Sequence, residues 1–203
     1  MNILRKELEK IITISDEEWN KVVSKFHFKS ANKGEVIHFA GDIFNDVWYI
    51  KSGLARSYFM NEKGKDLSWQ LYFYDEEDMS KINLFMSDAV SSNEKIPSML
   101  TFEILEDATF YVISTSDLNT LFDMDKKWEK LGRILVRDDW YAVTFKRVIS
   151  IMGDTAEERY IRLLINHSNI FKKVKLQYIA SFLGIAPQTL SKIRKNAKMN
   201  VGE

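Results

Sequence analysis

Gln177, Pro187, Gln188, Thr189, Ser191, Lys192 and Lys195 fall in one short C-terminal stretch, LQYIASFLGIAPQTLSKIRK (176–195). Amide and hydroxyl side chains can hydrogen-bond to base edges, and lysine ammonium groups pair with phosphates. Lys198 extends the same series. The chemistry on offer is recognition of a nucleic acid rather than bond making or breaking.

Such side chains read DNA only if a helix carries them into a groove. The spacing predicts a helix-turn-helix, two helices crossing steeply over a short turn. Ala180 is the small residue needed where the second helix crosses the first. Gly184, four residues on, suits a turn that requires a positive φ. Leu190 and Ile193, three apart, give the second helix one buried face, and Ile179, Leu183 and Ile185 close a small core. Pro187 fits the first turn of that helix, where its missing N–H costs nothing. The bland alternative is a surface helical hairpin with a solvated lysine face.

Charge supports the first reading. From residue 150 onward nine Lys and Arg face four acids, a net charge of +5; the whole chain sums to zero, so residues 1–149 carry −5. A basic module on an acidic body is the footprint of a phosphate-binding end. The 203 residues are 45% hydrophobic, enough for one large or two small packed domains. No run of about 18 apolar residues is present, so no membrane span is expected. The N-terminus carries scattered charges and no apolar signal core, so a cytoplasmic protein is expected. There are no cysteines, which excludes disulfides, thiolate metal sites, cysteine-ligated iron–sulfur clusters and a cysteine nucleophile. No nucleophile–base–acid constellation, metal-ligand spacing or phosphate loop is evident. No enzyme activity, metal or cofactor is therefore expected, and Asp75–Asp78 reads as a solvated turn.

Ser15 and Glu18 form a capping box for a helix through Phe26. From Phe28 the pattern changes to short strands: Glu35–Phe39, Val47–Ile50, Leu54–Met60, Leu67–Phe73, Met99–Leu105 and Thr109–Ile113. Gly, Asn or the Glu106-Asp107 pair stands at the turns, and an antiparallel sandwich or barrel follows. Ser116 reads as the cap of a short helix. Lys126–Met152 then forms one long helical pattern. Its heptad seam of Leu131, Leu135, Asp138, Ala142, Phe145, Ile149 and Met152 predicts pairing with a second copy. Gly153 ends that helix, Thr155 with Glu158 caps the next, and Asn166–Lys173 reads as a loop. The expected divisions are a sensor barrel with N-terminal helices (1–124), a dimerisation helix (125–152) and a helix-turn-helix DNA-binding domain (153–203).

This order resembles the cyclic-AMP receptor protein and fumarate–nitrate regulator (Crp/Fnr) family of bacterial transcription factors. The resemblance rests on KGEVIHFAGD (33–42), VWYIKSGLARSYF (47–59), EKGKD (62–66), FEILEDATFYVIS (102–114), TAEERYIRLL (155–164) and the helix-turn-helix. Gly34, Gly41, Gly53 and Gly64 stand where that family's sensor turns its corners. The resemblance implies an α+β chain: a cyclic-nucleotide-binding-type β jelly-roll barrel, a long dimerisation helix and a C-terminal winged helix-turn-helix. It also implies double-stranded DNA and a second copy of the chain as partners, with a small-molecule effector.

The family's ligand chemistry does not carry over. Where its cassette has Gly-Glu this chain has Lys81-Ile82, and where it has Arg followed by Ser or Thr this chain has Pro97-Ser98. Ile82 accepts no hydrogen bond and Pro97 carries no charge, whereas a bidentate Arg suits a cyclic phosphate. Lys95 is a substitute clamp, and Thr144 on the long helix completes the expected effector pocket. Cyclic AMP bound in the family's usual way is not expected. His27, His38 and His167 are the only histidines, and a lone strand histidine such as His38 is far more often structural than a haem ligand. At the DNA end Pro187, Gln188 and Lys192 replace the family's usual Arg, Glu and Arg. Gln188 then suits adenine, Lys192 guanine or a phosphate, and Thr189 a phosphate. Few residues remain for a wing after Lys195, so DNA affinity is expected to be weaker and salt-dependent. The alternative function is a small-molecule-sensing or protein-interaction module with decayed DNA binding.

Overall fold

The computed structural model describes residues 1–74 and 81–200; the Asp75–Asp78 turn lies outside them. Two helices, α1 (Asn2–Glu9) and α2 (Asp16–Ser24), precede the strands β1 (His27–Ala31), β2 (Val36–His38), β3 (Asp46–Met60), β4 (Asp66–Tyr74), β5 (Lys81–Ile82) and β6 (Phe85–Met86). A short helix α3 (Ala89–Glu94), the strand β7 (Thr101–Ser114) and α4 (Thr115–Phe122) follow. The rest is helical: α5 (Lys126–Leu135), a π-helical stretch (Val136–Tyr141), α6 (Ala142–Gly153), α7 (Ala156–Asn166), α8 (Ile170–Lys173), α9 (Leu176–Phe182) and α10 (Pro187–Asn200).

The α+β class follows directly. One antiparallel sheet has the strand order β1-β7-β3-β4-β5, with β2 paired to β7 and β6 to β3. This path leaves the barrel open. Residues from both long strands, β4, β6 and the Phe44 loop enclose one aromatic-rich cluster, containing Phe44, Trp48, Tyr72, Phe102 and Phe110.

Two expected hairpins are single long strands. Gly53 lies inside β3 and the Glu106-Asp107 pair inside β7, and the register between these strands shifts around Gly53. Gly53 has φ 95°, and a Cβ there would fall 2.4 Å from the Asp107 carbonyl oxygen. The bulge changes which residues face inward. Trp48 and Ile50 point into the aromatic cluster before it, and Ala55 does so after it, while Leu54 joins the outer face. One extra residue re-aims everything beyond it.

The Ser15–Glu18 capping box forms, with Ser15 N–H donating to Glu18 Oε2 at 2.9 Å. Thr155 and Glu158 form the same device on α7. Ser114, not Ser116, caps α4 through the Asp117 N–H; the helix begins one residue after the strand ends. Residues 166–173, expected as a loop, contain α8, whose Ile170 is 1% exposed. Phe171 packs beside it against Tyr160, and Val174 N–H donates to the Ile170 carbonyl at 2.8 Å.

The Lys126–Met152 helix is not one uniform α-helix. The π-helical stretch at Val136–Tyr141 adds a residue to its turn and rotates the downstream phase. Leu131 and Leu135, before this stretch, pack with α1, α2 and the sheet of their own chain, Leu131 being 1% exposed. Asp138 is exposed and pairs with Arg137 at 2.6 Å. Ala142 is half-buried. Phe145, Ile149 and Met152 are exposed, joined by Tyr141 and Val148. The heptad expectation assumed constant α geometry; the π-turn divides its seam into a buried half and an exposed half.

Candidate nucleic-acid interface and sensor interior

The helix-turn-helix core is close-packed. Ile179, Ala180 and Leu190 are 0% exposed, and Leu183 and Ile193 are buried beside them. Gly184 takes φ 69° in the turn. Ile185 N–H then donates to the Ala180 carbonyl at 2.9 Å, closing the chain reversal. Pro187 opens α10. Burying one face of each helix leaves the opposite face in solvent. Gln177, Pro187, Gln188, Thr189, Ser191, Lys192 and Lys195 are all exposed. Ser191 Oγ donates to the Pro187 carbonyl at 3.0 Å, which leaves its own lone pairs outward. The Lys198 side chain lies outside the described residues. Where a wing would begin, Asn196–Asn200 continue α10.

The first helix of the pair is docked on the sensor, a contact that the sequence reading did not anticipate. Leu54, Leu71, Phe73 and Ile82 of the sensor share one core with Tyr160, Ile179, Leu183 and Leu190. Ser68 N–H of β4 donates to Ser181 Oγ of α9 at 2.8 Å. Arg56, 3% exposed, ion-pairs with Asp66 and Glu103 and lies 3.8 Å from the Tyr178 ring centroid. Arg147 of α6 donates to the carbonyls of Ser68, Trp69 and Phe182. Desolvation pushes its guanidinium down to about 10. Arg159 of α7 caps α9 in the same way, donating to the Leu183 carbonyl at 2.9 Å. Arginines spaced among apolar residues carry no motif, so only the folded arrangement reveals this joint.

The interior of the N-terminal sheet region is occupied by its own side chains. Phe44 stacks on Phe102 with centroids 4.6 Å apart, and Tyr72 stacks on Phe102 at 6.1 Å. The buried Tyr72 hydroxyl lies 3.1 Å from Ser57 Oγ, and burial raises the phenol well above its ordinary range. His38 faces Phe44 and Phe102, and desolvation lowers it from its usual value.

Of the five residues expected to form an effector pocket, Lys81 and Ile82 line one cavity, and Pro97, Ser98 and Thr144 lie outside it. Lys81 pairs with Glu7 of α1 at 2.8 Å. Ile82 is buried in the core shared with the helix-turn-helix. Pro97 is exposed and Thr144 half-buried. Ser98 Oγ, 2.7 Å from Asp88 Oδ2, is committed to holding α3. Lys95 sits at φ 56° and reaches Asn45. No cluster of three or more metal-ligating side chains occurs among the described residues.

No family model and no curated protein matches the chain. Solved structures do. FixK2 from Bradyrhizobium japonicum is 16% identical with a TM-score of 0.66, covering 86% of this chain and 85% of its own. A regulator from Eubacterium rectale described as belonging to the Crp/Fnr family is also 16% identical, with a TM-score of 0.64 over 92% and 85%. This chain has the Crp/Fnr fold. CooA from Carboxydothermus hydrogenoformans, at 15% identity and TM-score 0.64, covers 93% of the chain and 85% of its own. CLP from Xanthomonas campestris, described as a c-di-GMP-responsive global regulator, covers 90% and 91% at 13% identity and TM-score 0.63. At these identities the likeness concerns the Crp/Fnr fold alone. No helix among the described residues is long and apolar enough to cross a membrane.

Proposed function

We propose that this chain is a dimeric, DNA-binding transcriptional regulator that works without binding cyclic AMP in the family's usual way. The observation that carries the reading is the α10 face: a packed helix-turn-helix leaves Gln188, Thr189, Lys192 and Lys195 in solvent on one helix. The Crp/Fnr fold and the +5 charge beyond residue 149 support it. Gln188 reads adenine, Lys192 reads guanine or a phosphate, and Gln177 and Thr189 hold the backbone. A second copy joins through the exposed apolar stripe of α6, centred on Phe145, Ile149 and Met152. Two copies place two recognition helices on half-sites about one DNA turn, roughly 34 Å, apart.

Selection of duplexes from a random library at low salt tests this. Enrichment of a palindrome with half-sites near one helical turn is expected. Salt-sensitive binding with no motif would favour the second reading, a sensing module with decayed DNA recognition, which the docking of α9 on the chain's own β4 supports.

A further inference from the structure

A cavity of about 650 Å³ lies where the sensor, the long helix and the helix-turn-helix domain meet. Its walls come from α1, β5 and the segment after it, the α5–α6 run, α7 and the end of α9. Its size suits a small molecule. It shares Lys81 and Ile82 with the cyclic-nucleotide position expected from the resemblance, but Pro97, Ser98 and Thr144 do not line it.

Charge is what distinguishes it. Lys10, Lys81, Lys146, Arg147, Arg159 and Arg162 line the cavity, and Glu7 and Asp138 are the acids that do so. Those acids are already engaged. Glu7 holds both Lys10 and Lys81, and Asp138 holds Arg137. Arg162 pairs with Asp154. Arg147 and Arg159 donate to backbone carbonyls only; Asp154 acts on Arg159 and Asp138 on Lys146 at longer range, without direct ion pairs among the described residues. Arg147 Nε is buried without a hydrogen-bond partner. A desolvated positive charge with no direct counter-ion, as at Arg147, is unfavourable until an anion supplies one. Apolar side chains, including Leu8, Leu84, Phe85, Leu163 and Phe182, make up much of the remaining wall, and Gln70, Asn83, Ser150, Asn166 and His167 add neutral polar groups.

We propose that this cavity binds a small amphipathic anion, a carboxylate or phosphate head on an apolar body. The head lies among Lys146, Arg147 and Arg162, and the body lies against Leu84, Phe85 and Leu163. Because the walls belong to three parts of the chain, the ligand favours whichever relative placement of those parts closes the cavity. The inference concerns binding, and it stands or falls apart from whether α10 reads DNA.

Calorimetric titration of the full chain tests it, with decanoate and decyl phosphate as anionic probes and decanol as their neutral counterpart. One saturable site is expected for at least one anion, with decanol at least about tenfold weaker. The K146A/R162A double variant, checked for folding by circular dichroism, is expected to weaken the anion by about tenfold or more. Should that variant not fold, K146E serves, since Lys146 is exposed and makes no direct ion pair among the described residues. Binding by only one anion identifies the head group and supports the proposal. Absence of saturation by both anions, equal binding of decanol, or unchanged affinity in the charge variant would overturn it. None of these results depends on DNA.

Discussion

The Arg147 guanidinium donates to the Phe182 carbonyl at 2.8 Å, tying the last turn of α9 to the long helix. The same side chain reaches the Ser68 and Trp69 carbonyls of β4. One residue thus joins sensor, long helix and helix-turn-helix. Arg147→Met is expected to leave three carbonyls short of a donor and to cost about 2–3 kcal/mol in urea unfolding. A loss below about 0.5 kcal/mol would mean that apolar packing alone holds the joint.

Gly53 and Gly34 both have positive φ but differ in surroundings: a Cβ at Gly53 meets Asp107 and Ala108 backbone, and at Gly34 it meets nothing within 4 Å. Gly34→Ala is expected to cost about 1 kcal/mol from the backbone alone. Gly53→Ala is expected to cost more than twice that, because β3 and β7 must also separate. Equal losses in chemical denaturation would refute the bulge as the reason for this glycine.

The divided seam makes opposite predictions for its two halves. Leu131→Ala is expected to destabilise the protomer by about 2–5 kcal/mol, as buried leucine truncations do. Ile149→Glu is expected to leave protomer stability nearly unchanged and to shift the chain to a monomer in sedimentation velocity. A monomeric wild type, or a dimer unaffected by Ile149→Glu, would move the interface elsewhere.

His38 sits among Phe44 and Phe102 with its Nε2 unpartnered. Desolvation lowers its folded value, and Asp42 and Asp88 oppose that shift only in part. The unfolded chain therefore binds the proton more readily. Stability should be full above about pH 6.5 and fall as pH drops below that value. Burial lowers His167 as well, so His38→Gln is expected to reduce but not abolish the slope of a denaturation series between pH 7 and 5; an unchanged slope would place the titration at His167 or elsewhere.

The helix-turn-helix was legible because its requirements are local: Ala180, Gly184 and Leu190 each satisfy one constraint within a few residues. The caps at Ser15 and Thr155 were legible for the same reason. The phase of the long helix was not, since nothing in the sequence marks a π-turn at Val136–Tyr141, and its one-residue rotation leaves Leu131 inward while turning Phe145 outward. Gly53 read as a hairpin corner because a bulge and a turn both call for positive φ. The partners of the expected effector residues were not legible, because their positions came from resemblance, while Ser98 binds Asp88 and Lys81 binds Glu7. The Arg147 joint depends on backbone carbonyls, which leave no signature in side-chain identity.

Fluorescence anisotropy on two labelled duplexes, a palindrome recovered by selection and its scrambled counterpart, tests the central claim most directly. With wild-type protein over a salt series, the palindrome is expected to bind at least about a thousandfold tighter than the scramble. Gln188→Ala is expected to erase about tenfold or more of that preference, and Lys195→Ala to weaken both duplexes alike and lower the salt slope. Equal affinity for the two duplexes at every salt concentration would contradict sequence reading by α10.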